Sequence, residues 1–464
     1  MAGNGAGKGA EQAAFAVVTK LRSAGFQAYY AGGCVRDLLL GHEPADFDVA
    51  TDAQPEVVLN LFPRTFAVGA HFGVVLVASG ESGRENVTEV ATFRSDGAYS
   101  DGRRPDEVRF SGSAEEDVQR RDFTINGMLM DPLLLAHPLE LAKPGDMAGA
   151  VLDFVGGRSD LAGGLVRAIG DPHTRFTEDK LRMLRAVRFA ARFGFDIEPA
   201  TAGAIRAQAS EIVLVSKERI RDELTRMLTE GRAKRAFDLL NATGLLHWVL
   251  PEIERMQGVE QPPQYHPEGD VWIHTLLLLE KLDAGCTPTL AWGALLHDVG
   301  KPATFRRAPE RIRFDGHVEV GVKITEEICG RLRFSNEDTA QIVLLVENHM
   351  RFGDVEKMKD STLKRFFRLP RFDEHLALHR LDCLSSHGGL ELYDFAQERY
   401  ESMPPDTVRP VLLVTGRDLI AAGYRPGEAF KGMLRTTEDA QLEGHIHTRE
   451  EGLTLVRKRF PLTG

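Results

Sequence analysis

The hydrophobic pattern of the chain changes period once, near residue 150. From about Gln27 to Pro132 it reads as short alternating runs broken by turns, with Val74–Val77 and Val87–Phe93 the clearest. Beyond about Ala150 it reads as helices, and Arg182–Phe193 and Ser216–Leu228 are strongly amphipathic. Period two sends alternate side chains to opposite faces of a strand, whereas period 3.6 stripes one face of a helix. The fold class expected is therefore α+β: a head on a small β-sheet, then an all-helical body. A leading helix is expected over residues 11–25, with Phe15, Val18 and Leu21 on its apolar side. Pro- and Gly-containing stretches at Gln257–Gly269 and Met403–Asp406 mark boundaries. The divisions expected are a tail and helix (1–26), a head (27–150), a hinge and neck (151–256), a helical domain (257–402) and a C-terminal segment (403–464). A length of 464 residues suits several domains of this size.

Composition excludes several classes. Hydrophobic content of 43% and charged content of 27% are those of a globular protein, with no apolar run long enough to span a bilayer. The start, Met1–Ala10, is Gly/Ala-rich without an apolar centre and reads as a loose terminus, not a signal peptide. Four cysteines without CxxC spacing suit free thiols in a reducing cytoplasm. A net charge of −11 argues against a general nucleic-acid coat. Yet Arg175–Arg192 holds six basic residues against two acidic, which leaves room for a local RNA site or a solvated helix face.

The head carries the first chemistry. Gly32-Gly33 is a turn in which backbone N–H groups can approach phosphate, followed by Arg36 and Asp37. Asp46 and Asp48 follow; on a strand, residues i and i+2 share a face, so both carboxylates would aim at one place. Glu89, alternating with apolar Val90, would supply a third from a neighbouring strand. Such a trio could hold two Mg²⁺ ions for phosphoryl or nucleotidyl transfer; the same acids could also be exposed loop residues. Arg94–Pro105 is glycine-rich and polar, as a mobile loop would be. Arg120–Asn126 gathers two arginines, an acid, a hydroxyl and an amide, suited to ribose and triphosphate or to a salt-bridge cluster.

These motifs in this order, Gly32–Gly41, Asp46–Asp48, Glu89–Arg94, Asp101–Pro105 and Arg120–Asn126, resemble the class II tRNA nucleotidyltransferase/poly(A) polymerase family. The resemblance continues through Asp153–Gly157 with Asp160-Leu161, Glu178–Arg182 and Ser216–Leu224, and departs at Gly127, where such enzymes often have Ala. It implies a polymerase-β-type nucleotidyltransferase head, with Mg²⁺ on Asp46, Asp48 and Glu89. It also implies nucleotide contacts from Gly32, Gly33, Arg36, Asp37, Arg94, Arg121, Asp122, Asn126, Asp179, Arg182, Arg185 and Arg188. The substrates implied are tRNA, CTP and ATP, without a membrane.

In the neck, Asp179 and Arg182 would be i, i+3 neighbours on one helix face. Asp accepts hydrogen bonds and Arg donates them in a planar fork. Cytosine (N4 donor, N3 acceptor) and adenine (N6 donor, N1 acceptor) present the same pattern, and uracil and guanine reverse it. One Asp/Arg pair could thus admit C and A, although an ordinary helix ion pair has the same spacing. Glu178 is expected to lie off this face. Arg175, Arg185 and Arg188 are candidates for triphosphate or tRNA backbone contacts.

A second constellation comprises His274, His297-Asp298 and Asp382, with His317 and His349 available for a second ion. It resembles the HD phosphohydrolase superfamily, and imidazole with carboxylate suits Mn²⁺, Ni²⁺ or Fe²⁺. Helical register alone cannot assign Asp382. The C-terminal stretches Val414–Gly427 and Thr448–Gly452 resemble the tail of bacterial tRNA nucleotidyltransferases, which implies a grip on the tRNA elbow.

The resemblance leads to template-free addition of C, C and A to tRNA 3′ ends, with a possible HD hydrolase activity beside it. A poly(A) polymerase of this family would carry a Gly-basic-basic-Phe stretch soon after the two aspartates; Val68–Gly73 lacks it. A CC-only enzyme would lack an intact loop at 94–105, and an A-only enzyme stays open. The rival from another class is a metal-dependent phosphohydrolase whose head merely recruits RNA.

Overall fold

The computed structural model describes residues 6–67, 73–79, 86–96, 108–135, 147–264, 269–309 and 311–462. Most of the expected mobile loop (97–105), the segment 68–72 and part of the Gln257–Gly269 boundary (265–268) lie outside them. The chain forms two compact units: residues 1–227 with 235–249, and 228–234 with 250–464.

The first unit is built on a mixed sheet. Its strands are β1 (Ala28–Ala31), β2 (Asp48–Thr51), β3 (Thr65–Phe66), β4 (Val74–Ser79) and β5 (Asn86–Thr92); β6 (Arg94–Asp96) and β7 (Val108–Phe110) form a separate ribbon; β8 (Met128–Met130) and β9 (Val151–Asp153) complete the sheet. The order is β3-β4-β5-β2-β1-β8-β9, with β2 and β5 parallel. Helix α1 (Ala6–Ser23) packs on this sheet through buried Ala14, Val17, Val18 and Leu21. Of the expected apolar side, Val18 and Leu21 are buried and Phe15 alone is not, being 43% exposed. Helix α2 (Gly33–Leu39) follows β1, α3 (Pro55–Leu61) follows β2, and α4 (Ala114–Gln119) precedes β8. Ala114 and Val118 of α4 join Tyr29, Ala31, Ala50, Phe93 and Leu129 in one core, the alternate residues of β1 facing the other way.

The hinge shows why its sequence is glycine-rich. Asp153 accepts hydrogen bonds from the N–H groups of Val155, Gly157 and Arg158 at 2.8–3.2 Å. A Cβ on Gly157 would lie 2.2 Å from the Thr124 carbonyl oxygen, so only glycine fits. At Gly127 a methyl group would meet Ile169 Cδ1 and Val155 Cγ2 at 2.9 Å each, which accounts for glycine in place of alanine. Helices α5 (Gly157–Ala162), α6 (Pro172–Glu178), α7 (Leu181–Phe193), α8 (Pro199–Gln208), α9 (Lys217–Thr229), α10 (Ala233–Ala242) and α11 (Leu245–Val249) follow.

The second unit is helical apart from a two-stranded ribbon: α12 (Pro251–Glu254), α13 (Val271–Glu280), α14 (Pro288–Leu296), α15 (Lys301–Thr304), α16 (His317–Arg331), α17 (Asn336–Asn348), α18 (Asp360–Phe367), α19 (Phe372–Ser385) and α20 (Glu391–Ser402). A C-terminal group, α21 (Pro405–Val408), α22 (Gly416–Ala421), α23 (Ala429–Leu442) and α24 (Arg449–Arg459), has its own small core of Val414, Leu419, Tyr424, Met433 and Val456. Arg365 of α18 and Arg368, which caps its end, pair with Glu438 of α23. Among the described residues no helix is long and apolar enough to cross a membrane.

Candidate active sites

Gly32 follows β1 and caps α2 with φ +72°, a conformation that side chains resist. A Cβ there would also crowd Arg121 Nη1 at 3.1 Å, so the glycine lets that guanidinium approach the turn.

Asp48 is the first residue of β2. The parallel register pairs Val49 with Val90, which places Asp48 beside Glu89 one residue upstream. Val49 and Val90 are buried, so both carboxylates leave the sheet on its opposite face. Asp46 does not lie on the strand, as the sequence had suggested, but just before it. Buried Phe47, packed edge-on against Tyr30 at 5.2 Å, anchors this extended segment, so Asp46 and Asp48 still point away from the core together. Burial first, then Glu89 and Asp46, pushes the Asp48 carboxyl up to about 7. Burial and Asp46 likewise raise Glu89, and Arg121 offsets both in part. Three mutually repelling oxygen donors with one opposing guanidinium are a donor set suited to a hard divalent cation.

Behind them the Arg120–Asn126 segment is wired into the neck. Arg120 and Arg121 both grip Asp117, fully buried on α4, at 2.7 and 2.9 Å. Arg36 donates to Asp37 (2.8 Å) and Asn126 (2.5 Å), and Asn126 donates to Asp122 (3.1 Å). Arg185 of α7 donates to Asp122 at 2.6 and 2.8 Å. Burial alone would raise Asp122; Arg185 and Asn126 outweigh it and hold the carboxyl at about 2. Arg36 also lies over the Phe193 ring at 4.5 Å.

A cavity of about 540 Å³ opens in this unit. Gly32, Gly33, Arg36, Asp46, Asp48, Arg121, Asp122, Asn126, Asp179, Arg182, Arg185 and Arg188 line it, as the sequence had grouped them. Glu89, Asp37 and Arg94 are not among its lining residues: Glu89 stands beside Asp48 on β5, Asp37 sits behind Arg36, and Arg94 begins β6 with its backbone N–H toward Asp117 (3.4 Å). Arg120, of the segment suited to ribose and triphosphate, also lines it, as do Phe189, Arg219 and Arg226, to which sequence reasoning gave no such place.

The neck pair departs from the expected helix face. Asp179 is not helical: it ends α6 with extended φ −142° and ψ 104°, and its carboxylate accepts from the Leu181 N–H (3.0 Å) at the start of α7. Arg182 lies in the first turn of α7. The two side chains do not pair with each other. Arg219 of α9 holds Asp179 at 2.7 Å, and Glu178 holds Arg182 at 2.7 Å and Arg175 at 3.0 Å. Glu178, expected off the reading face, is thus the group that fixes Arg182. Arg182 further donates to the carbonyl oxygens of Arg120 (3.0 Å) and Arg175 (3.2 Å). Arg188 pairs with buried Glu223 of α9 at 2.7 Å.

In the second unit all six ligand candidates converge, in two trios: His274, His297 and Asp382, and Asp298, His317 and His349. Asp382, on α19, lies 3.1 Å from His274 Nε2. Asp298 lies between the trios, one oxygen 3.2 Å from His297 Nε2 and the other 3.9 and 3.8 Å from Nε2 of His317 and His349. The Nδ1 atoms of His297, His317 and His349 each lie 2.7–2.9 Å from a backbone carbonyl oxygen. Nδ1–H donation there leaves the Nε2 lone pairs facing inward, and those of His317 and His349 are buried without a partner. Burial holds the His349 imidazole down at about 4 and lowers His317, so both are neutral, as ligands must be. Lys301, absent from the expected ligand set, lies 2.7 Å from Asp298 and donates to Gln261 at 2.6 Å. Burial would raise Asp298, yet Lys301 and the histidines keep it well below the usual carboxylate range.

Comparison with known proteins matches residues 28–167 to the poly A polymerase head domain, 194–257 to the "Probable RNA and SrmB- binding site of polymerase A", and 271–384 to the HD domain. A CCA-adding enzyme of Leuconostoc mesenteroides is 42% identical over 445 residues, 96% of this chain and 95% of that protein. A multifunctional CCA protein of Nitrosococcus oceani is 34% identical over 91% of this chain and 99% of its own length. The crystal structure of the Bacillus stearothermophilus CCA-adding enzyme in complex with CTP superposes with a TM-score of 0.72 at 26% identity, over 97% of both chains.

Proposed function

The chain belongs to the family of CCA-adding enzymes, and on that premise we propose how its residues add C, C and A to tRNA 3′ ends from CTP and ATP without a template. The observation that carries this reading is that Asp46, Asp48 and the Asp179/Arg182 pair face one cavity in one unit. Full-length similarity to CCA-adding enzymes favours complete CCA addition over the partial enzymes and poly(A) polymerase.

Asp46, Asp48 and Glu89 would hold the cations, Mg²⁺ being the ion their all-oxygen set suits. Divalent cations held there would supply Lewis-acid chemistry, activating an RNA 3′ hydroxyl and neutralising charge on the triphosphate and the departing pyrophosphate. Asp179 accepts from the exocyclic amine of C or A, and Arg182 donates to the adjacent ring nitrogen. Both hold their geometry through Arg219 and Glu178, so the protein carries the template in pre-set side chains. Arg36, Arg121, Asn126 and Arg185 supply donors around ribose and phosphates. We place the enzyme in the cytoplasm, consistent with four free cysteines.

The six-ligand centre of the second unit favours a second reading beside the first, metal-dependent phosphate-ester hydrolysis. Mn²⁺, Ni²⁺ or Fe²⁺ held by these imidazoles and carboxylates would activate water. Asp298 and the anchored histidines fix the donor positions.

Product lengths test the main reading. Purified protein is given tRNA ending before CCA or after CC, with CTP, ATP or both. Extension of both ends to CCA is expected; no extension of either overturns the reading, and growth from the CC end alone makes this an A-adding enzyme. Hydrolysis of p-nitrophenyl phosphate with Mn²⁺ or Ni²⁺ tests the second site.

A further inference from the structure

Eight arginines line the head-and-neck cavity. Seven are each paired with a carboxylate at 2.6–2.9 Å: Arg36 with Asp37, Arg120 and Arg121 with Asp117, Arg182 with Glu178, Arg185 with Asp122, Arg188 with Glu223 and Arg219 with Asp179. Among the described residues Arg226 has no such partner, and it is exposed. Its position is nonetheless set. Arg219, Glu223 and Arg226 stand at i, i+4 and i+7 on α9, one stripe of that helix. The first two reach across to Asp179 and Arg188, pinning this face of α9 against the cavity. The third presents its guanidinium there uncommitted.

We propose that Arg226 binds a backbone phosphate of the RNA 3′ end. This rests on the nucleotidyl-transfer reading above and goes beyond it. The nucleotide's requirements are met elsewhere, the triphosphate at the Asp46/Asp48/Glu89 cation site and the base at Asp179/Arg182. The remaining anion that must enter is the RNA strand, which brings one charge per nucleotide. A guanidinium without an internal counter-ion is the group that gains most from it, because the charge of every other arginine in the cavity is already partly neutralised by a carboxylate. Its place within the segment matched to an RNA-binding domain, residues 194–257, agrees.

The test is steady-state CCA addition by Arg226→Ala and Arg226→Lys, with KM measured separately for tRNA and CTP, and tRNA binding measured from low to high salt. Loss of an exposed side chain without a partner leaves the melting temperature unchanged. The expected result for Arg226→Ala is a roughly tenfold higher KM for tRNA, an unchanged KM for CTP, and a salt slope smaller by about one. Arg226→Lys recovers most of the tRNA affinity, since a point charge suffices for phosphate. A rise in KM for CTP alone would assign the phosphate to the nucleotide and overturn the RNA assignment; no change in either constant would overturn it altogether. Failure of the wild-type protein to extend tRNA would refute the nucleotidyl-transfer reading itself, a result these variants do not mimic.

Discussion

Asp48 and Asp298 are both carboxylates set among metal-type ligands, but they reach opposite electrostatic states. Asp48 stands with Asp46 and Glu89, and burial and their repulsion raise it to about 7. Asp298 is buried among Lys301, His297 and His274, which hold it ionised well below its ordinary range. The head therefore keeps a repulsion that Arg121 offsets only in part, whereas the second site is neutralised from within. The residue types explain the difference: carboxylates cannot satisfy one another, whereas histidines lend Nδ1–H to the backbone and keep Nε2 neutral. On the proposed reading the head would take up cations along with a charged substrate, whereas the buried carboxylate of the second site is already compensated by its own neighbours.

The sharpest way to break this comparison is to disable one site and read the other. Asp48→Ala is expected to lower CCA addition on the order of 10³-fold or more, since the cation site supplies several kcal/mol to the transition state. It should leave p-nitrophenyl phosphate hydrolysis with Mn²⁺ unchanged, and Asp298→Ala should do the reverse. Loss of both activities in either variant would refute two separate sites. Next in size is Lys301→Met, which strips Asp298 of its internal counter-charge. The metal-free protein should lose on the order of 3 kcal/mol from its second unit, as a buried pair missing one partner does. Urea unfolding followed by hydrogen exchange of residues 271–384 reads this, and Mn²⁺ should restore part of the loss. An unchanged stability would mean that Asp298 does not depend on Lys301.

What the sequence disclosed follows the same division. The head was legible because its chemistry is local: Asp46, Asp48 and the Gly32-Gly33 turn lie within seventeen residues, and strand alternation placed Glu89 on the correct face. The six ligands of the second site were legible as a set, but only the packing of α13 against α19 could bring Asp382 to His274. Asp179 and Arg182 were found by spacing and misplaced by geometry. The signal was present, since an Asp two residues before a helix start often accepts a backbone N–H and interrupts the preceding helix, as Asp179 does with Leu181. Arg219, Glu223 and the Lys301–Gln261 contact were not legible, because each partner lies 35 to 40 residues away and no local period encodes such a pairing.

The smallest expected effect is also the most specific to the contrast. A carboxyl whose folded pKa exceeds its unfolded value contributes stability below the ordinary carboxylate range, and that contribution is lost as pH rises through the folded value. For Asp48 the window runs from about 4 to about 7. In the second unit His349, held at about 4, gives the opposite sign: its stabilisation is complete above the usual imidazole range and is lost as pH falls toward 4. Asp48→Asn removes the charge at nearly constant shape. In EDTA it should therefore stabilise the head by roughly 2 kcal/mol at pH 8 and by little at pH 4.5, where Asp48 already carries a proton. Added Mg²⁺ should erase the pH 8 advantage, because the wild-type carboxylate then gains the cation that the amide binds poorly. Hydrogen exchange of β2 and β5 is the readout. Equal stabilisation at both pH values would mean that the folded protein does not raise the Asp48 carboxyl, and the electrostatic contrast between the two sites would fall.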